Sequence, residues 1–405
     1  MTHAEEKSFS GRLSQTPFWA KLVKGWANRI VAGSLTINFP DGSMHHVAGE
    51  LPGPAAAIEI FSGRFVWQIM TEGNLGLARG YMDGTWGSPD IGAVLDLGLA
   101  NETVLSGLIT IPFLRKVMAN YRHRRNANTK GGSRRNIAFH YDLGNMFYGH
   151  WLDSTMTYSS AIFERPEQPL DEAQTAKYAR IVEKLNIQNT DTVLEIGCGW
   201  GGFAEYAART TGCRILCLTL SNEQALYARK RMNLAGLTEQ VEIRIQDYRD
   251  CDGSFDKIVS IEMFEAVGEE NWPIYFDKVK GLLKSGGEAM LQVITIARSR
   301  FENYRSTADF IQTYIFPGGM LPSNDALVSV ADTHGLRLKD QYLFGLDYER
   351  TLLWWDRAFA AQWHKIEPLG FDARFKRMWR YYLHYCAAGF RSGRIDVGQF
   401  HFQSQ

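Results

Sequence analysis

Ten residues near the middle of the chain, Val193-Leu-Glu-Ile-Gly-Cys-Gly-Trp-Gly-Gly202, hold the spacing with most chemistry in it. Gly197, Gly199 and Gly202 fit the dinucleotide pattern G-x-G-x-x-G, while Gly197, Gly199 and Gly201 fit the tighter G-x-G-x-G of S-adenosylmethionine (SAM) sites. Either pattern lets a backbone approach a nucleotide where a strand turns into a helix. The neighbours separate the two readings. A dinucleotide site usually carries Asp or Glu about 20 residues on, at the end of the second strand, for the ribose hydroxyls. Here that strand ends in Thr219, Leu220 and Ser221, with Glu223 already in the next helix. Glu195, two residues before Gly197, would repel a pyrophosphate but suits the ammonium end of SAM. Asp247, closing "IRIQDY", is placed to accept from an adenine amino group. The residues therefore favour SAM over a nicotinamide dinucleotide.

The elements that must position this loop are legible from about residue 170 onward. "AQTAKYARIVEKLN", "GGFAEYAARTTG" and "NEQALYARKRMNLAG" have helical patterns. "DTVLEIG", "CRILCLTLS", "VEIRIQDY", "FDKIVSIEM" and "EAMLQVITI" read as strands. Alternating strands and helices predict an α/β unit with a mostly parallel sheet, and ligands of such sheets bind at the carboxyl ends of the strands. Residues 1–112 read as a small α+β unit. "GSLTINFPDG" is a strand closing in a Pro-Asp-Gly turn, "MHHVAG" is its returning partner, and "AAIEIFSGRFVWQIMTEGNLGLARGYMDGTW" is strand, turn and helix.

Between them, residues 113–136 form a basic linker. Eight cations from Arg115 to Arg135, with no acid among them, suit anionic lipid headgroups, each contributing ~1 kcal/mol near a charged surface. No nucleic-acid-binding motif accompanies them, so nucleic acid is not an expected partner. The whole chain of 405 residues has zero formal net charge and no global field to attract a polyanion. Its five cysteines show no metal-binding or disulfide spacing and fit a reducing cytoplasm. The N-terminus lacks a signal-peptide core, and no apolar run is long enough to span a bilayer.

"FHYDLGNMFYGHWLDSTMTYSSAIFE", "VLEIGCGWGGFAEYAA", "LTLSNEQ", "IQDYRD", "FDKIVSIEMFEAVG", "FIQTYIFPGG", "LDYERTL" and "FKRMWRYYLHYCAAGFRSG" occur in this order. Together they resemble the cyclopropane-fatty-acyl-phospholipid synthases and their mycolic-acid relatives, strongly over 130–395. Residues 30–110 resemble the lipid-facing N-terminal domain of the long bacterial forms. The resemblance implies a class I SAM-methyltransferase (Rossmann-like) catalytic domain over 137–405. It also implies one-carbon transfer from SAM to the cis double bond of unsaturated acyl chains in membrane phospholipids. The expected setting is the cytoplasmic face of the membrane, with peripheral attachment and pairing into homodimers.

Carried over by motif, Tyr158 and Ser159 would meet the amino-acid end of SAM. Gly197 and Gly199 would lie under it, Thr219, Leu220 and Gln224 along the ribose, and Asp247 at the adenine. Aromatic segments "FYGHW", "YIF" and Trp354-Trp355 are candidate walls for a carbocation. Ring-forming members of the family are understood to hold a bicarbonate ion as base, in a shell of Cys, Glu, His, Ile and Tyr. Glu265, Ile294 and Tyr348 match that shell, whereas Ser160 stands for the Cys and Gln292 for the His. Glu262 replaces a usual Gly, and Ala266 a usual His. Two fewer imidazoles and one more carboxylate make the place less welcoming to an anion. Ring closure with bicarbonate in a rebuilt shell is the leading expectation, because Glu265, Ile294 and Tyr348 remain. The alternatives are direct base action by Glu262 or Glu265 giving a methyl-branched chain without a ring, and a lipid-binding pseudoenzyme.

Overall fold

The computed structural model describes residues 18–106 and 143–405. The basic linker, including 115–135, lies outside the described residues. The chain divides into two units, 1–110 and 111–405.

The first unit is built on a four-stranded sheet of order β2-β1-β3-β4, from β1 (Ala32–Asn38), β2 (Met44–Ala48), β3 (Leu51–Ile60) and β4 (Trp86–Gly87). The Pro-Asp-Gly turn behaves as its chemistry requires. Gly42 takes φ +81°, Asp41 accepts from the Ser43 amide at 2.9 Å, and β2 returns antiparallel to β1. The helical segment after β3 is two helices, Arg64–Glu72 and Asn74–Met82, rather than one. Gly73 breaks it at φ +61°, a conformation open chiefly to glycine. The two helices then pack so closely that a Cβ at Gly76 would overlap the Gln68 carbonyl.

The second unit carries a seven-stranded sheet of order β10-β11-β9-β8-β5-β6-β7. Its strands are β5 (Thr192–Ile196), β6 (Arg214–Thr219), β7 (Val241–Ile245), β8 (Phe255–Ile261), β9 (Leu283–Ile296), β10 (Leu336–Leu343) and β11 (Ile395–Ser404). The pairs from β7 through β9 are parallel; β11 and β10 add antiparallel at one edge.

The central parallel strands β5, β6 and β8 are largely apolar because both faces are covered, while β7, at the edge, alternates buried Val241 and Ile243 with exposed Glu242 and Arg244. Alternate residues enter opposite cores. Val193, Ile215, Cys217, Val259 and Met290 pack with helices Leu170–Leu185, Gly202–Thr211 and Asn222–Ala235. Leu194, Leu216, Leu218, Ile258 and Leu291 pack with helices Trp272–Leu282 and Asn324–Thr333. By the same alternation Glu195 shares the face of Val193, under helix Leu170–Leu185. The last parallel strand is longer than "EAMLQVITI": β9 begins at Leu283 and shifts register against β8, with Gly286 at φ +71° in the irregular stretch.

Candidate active site

At the carboxyl end of β5 the chain turns through Gly197 (φ +84°), Gly199 (φ +52°) and Gly201 (φ +81°) into helix Gly202–Thr211. The amides of Gly197 and Cys198 both donate to the Leu218 carbonyl, at 2.9 and 3.0 Å, which ties the loop to the end of β6. A Cβ on Gly197 would meet Met263 at 2.8 Å, while one on Gly199 would enter open space. That space is a cavity of about 150 Å³ bounded by the ends of β5, β6 and β8, the turn after β7, and residues 156–159.

Every residue assigned to the cofactor by sequence lines this cavity: Tyr158, Ser159, Glu195, Gly197, Gly199, Thr219, Leu220, Gln224 and Asp247. Ser221 caps helix Asn222–Ala235, and Gln224 is held by Thr219 through a 2.9 Å hydrogen bond. The Asp247 carboxylate is gripped by Arg249 at 2.8 and 2.6 Å, so an adenine amino group would share it with a guanidinium. Burial pushes the Glu195 carboxyl up to about 8, with the Cys217 thiol 3.5 Å away. An arriving cation would favour its ionised form.

Sequence reasoning missed Trp200, Met263, Gln246 and Tyr248, all cavity-lining. The rule that ligands sit at strand ends could have found Met263 and Gln246. It also missed Lys177, on helix Leu170–Leu185, whose ammonium is wholly buried and donates to Ser159 Oγ at 2.6 Å. Gln174, one turn earlier, donates to the Ser159 carbonyl at 2.8 Å. Burial pulls Lys177 down to about 7 against the opposing attraction of Glu262, Asp153 and Glu195. The only signal in the sequence was a lysine on the buried stripe of an amphipathic helix.

The six residues assigned to the chemistry form two groups. Glu262 is the hub of the first. Its Oε1 accepts from the Ser160 amide and from Gln292 Nε2, each at 2.8 Å, and its Oε2 accepts from the Tyr348 hydroxyl at 2.7 Å. The second group is Glu265, whose Oε1 accepts from the Ile294 amide at 2.6 Å. Its Oε2 is buried and finds no hydrogen-bond partner among the described residues. Burial, then the charge of Glu262, pushes Glu265 up to about 8. Of the six, Glu262 alone lines the cavity. It does not point away to solvent.

Glu262 also holds φ +50°, in the left-handed region that costs a non-glycine residue roughly 1 kcal/mol or more. Its amide donates to the Gln292 carbonyl at 2.8 Å, which pins the turn. Gln399 donates to Gln292 Oε1 at 3.2 Å, fixing the amide so that Nε2 faces Glu262.

These contacts decide whether the shell suits a bicarbonate ion. The Ser160 amide, Gln292 Nε2 and the Tyr348 hydroxyl are spent on Glu262, and the Ile294 amide on Glu265. The Ser160 hydroxyl donates to the Ala161 carbonyl at 3.0 Å. A second anion would meet the Glu262 carboxylate where the Ser160, Gln292 and Tyr348 donors converge, with only the Glu265 carboxyl of this set left to donate. The residues do not fit bicarbonate.

None of the aromatic segments expected to form the wall lines the cavity; other aromatic residues do. Tyr158 and Trp200 face the cavity, and Tyr158 reaches Tyr382 hydroxyl to hydroxyl at 2.8 Å. Phe147, Trp151 and Trp355 are wholly buried behind them, Trp355 with its ring 5.2 Å from that of Tyr158. They support the wall rather than form it. Among the described residues no cluster of His, Cys, Asp and Glu could hold a metal ion.

With the loop, cavity and carboxylate described, comparison with known proteins is informative. Residues 128–400 match the family model for mycolic acid cyclopropane synthetase. The chain belongs to this family. It is 40% identical over 346 residues to the tuberculostearic acid methyltransferase of Mycobacterium tuberculosis, covering 82% of this chain and 79% of the relative. It is 35% identical over 376 residues to the cyclopropane-fatty-acyl-phospholipid synthase of Escherichia coli K12, covering 90% and 94%. The solved mycolic acid cyclopropane synthase CmaA1, complexed with SAH and CTAB, superposes with a TM-score of 0.63. It is 32% identical and covers 67% of this chain and 98% of that one. As a member of the cyclopropane synthase family, the chain is a SAM-dependent enzyme with the class I methyltransferase fold. SAM is its co-substrate, and the NAD alternative is set aside.

Proposed function

We propose that the enzyme transfers a one-carbon unit from SAM to the cis double bond of an unsaturated fatty acyl chain carried by a membrane phospholipid. One observation carries the reading: the SAM-type loop and the Glu262 carboxylate face the same cavity, with Tyr158 on its wall. An alkene is a weak nucleophile, so the methyl group must be aimed at it in a dry slot. The S–CH3 bond breaks with its electrons going to sulfur, and the alkene π pair forms the new C–C bond. The other alkene carbon becomes a cation. Aromatic faces stabilise such a charge by ~2 kcal/mol when desolvated. A base then takes a proton, and the C–H pair either closes a cyclopropane or re-forms a double bond beside a methyl branch.

Membrane contact falls, in this reading, to the N-terminal unit and to the basic stretch 115–135. Exposed Phe61, Trp67 and Met70 in the former support that role. The enzyme would work as a paired, peripheral protein at the inner face of the membrane; among the described residues no helix is long and apolar enough to cross one.

The test uses SAM with a fully deuterated methyl group and vesicles of unsaturated phospholipid. Label in the acyl chains supports the proposal, and none in any unsaturated phospholipid refutes it. Two retained deuteriums mean the proton came from the methyl group, and upfield cyclopropane proton resonances then tell a closed ring from an exocyclic methylene. Three mean a methyl branch. The methyl-branching outcome is favoured by the rebuilt anion shell and by the 40% identity to a tuberculostearic acid methyltransferase.

A further inference from the structure

We infer that the Glu262 carboxylate is itself the base that takes the proton after methyl transfer, doing from within the chain what a separately bound anion would otherwise do. The inference rests on the acyl-transfer reading above and adds the proton acceptor to it.

Four observations converge on Glu262. Its carboxylate receives three hydrogen bonds, from the Ser160 amide, Gln292 and Tyr348. These donors come from three separate elements: the loop before helix Leu170–Leu185, strand β9, and helix Gly345–Ala361. A planar two-oxygen anion held by converging donors is what the cluster is built around, and the chain supplies that anion covalently. Second, Glu262 lines the methyl-donor cavity, whereas Glu265 does not. Third, the residue keeps a left-handed backbone that glycine would adopt without strain. An unfavourable conformation held in place by a pinned turn points to a side chain placed for use. Fourth, burial pushes the Glu262 carboxyl up, toward the range where a base accepts a proton, while the charge of wholly buried Lys177 opposes that shift and attracts the ionised form.

The step balances without a further reactant. One C–H bond of the cationic intermediate breaks, and its electron pair makes the ring bond or the new double bond. The proton ends on Glu262, the cation is discharged, and the sulfur leaves as the thioether. Glu265 suits no such role: it does not line the cavity, and burial with the charge of Glu262 pushes its carboxyl up to about 8.

The experiment measures transfer of deuterated methyl from SAM to unsaturated phosphatidylglycerol vesicles, in buffer stripped of carbon dioxide, with and without added bicarbonate. The wild type should be indifferent to bicarbonate. Glu262→Gln should turn over roughly 100-fold more slowly while binding SAM about as well as wild type, the usual loss for a removed general base. Glu262→Gly leaves the three donors facing a gap and should regain at least about tenfold of its lost rate with formate or acetate. A wild type accelerated by bicarbonate would overturn the inference. So would a Glu262→Gln enzyme within about threefold of wild type, or a Glu262→Gly enzyme at wild-type rate without added carboxylate. A wild type that transfers no label to any vesicle defeats the acyl reading and the inference with it. Label in wild type with no loss in the variants defeats only the inference.

Discussion

The two ends of the active cavity are made differently. The donor end is a backbone construction. Three glycines at positive φ and two amides on one carbonyl define it within a dozen residues. The proton-accepting end is a side-chain construction, with Glu262, Ser160, Gln292 and Tyr348 drawn from four distant segments. A backbone site tolerates little change, because a Cβ or a lost φ destroys it. A side-chain site can be rebuilt one residue at a time. That contrast explains why the loop here matches the SAM pattern fully while the anion shell departs from the family at several positions.

The largest expected break is at the donor end. Gly197→Val adds a β-branched side chain at φ +84° and against Met263. Strain and overlap together cost about 3 kcal/mol, so calorimetry should find SAM binding weakened roughly 100-fold. Unchanged affinity would mean the loop is not the donor site.

At the other end, Lys177→Met removes the buried cation that favours ionised Glu262. Turnover near neutral pH should drop about tenfold or more. The sign of the pH effect is definite. Without the cation Glu262 gains its proton more readily, so the acid limb of the kcat profile moves to higher pH. A purely structural lysine would lower the rate and leave the limb in place.

Glu265→Gln should matter less. Glutamine has the shape of the protonated carboxyl, and Glu265 is protonated up to about pH 8. Turnover within about tenfold of wild type is expected at pH 7, in contrast to Glu262→Gln. A larger loss at Glu265 would reverse the assignment of the two carboxyl groups.

The smallest effect concerns stability. Glu195 titrates at about 8 in the fold against an ordinary 4.5, so the native state binds the extra proton between those values. Its contribution is intact below about pH 4.5 and is lost as pH rises toward 8. Glu195→Gln should therefore flatten the alkaline fall in Tm, by roughly 3 °C or more between pH 6 and 9. An identical fall in both proteins would place the titration elsewhere.

Legibility followed the same divide. The strands β5, β6 and β8 were readable because doubly covered parallel strands are rich in apolar residues, β7 because it alternates apolar and charged residues, and the glycines because positive φ demands them. The break at Gly73 was not readable, since a glycine inside a helical pattern signals a break only once the close packing of Gly76 on Gln68 is known. The antiparallel strands, β10 at the edge and β11 beside it, escaped notice because polar and apolar residues mix along them.

The sequence by itself determined the class of fold, the SAM loop and nine of the residues that line its cavity, because those depend on local backbone conformation and short-range spacing. It also marked Glu262 as out of place. Only the tertiary structure decided where that carboxylate goes. Ser160 and Tyr348, 102 and 86 residues from Glu262 along the chain, Gln292, 30 residues from it, and a lysine on a buried helix face meet there through packing alone. No local pattern encodes such a meeting, because its geometry exists only when both cores have closed around the sheet.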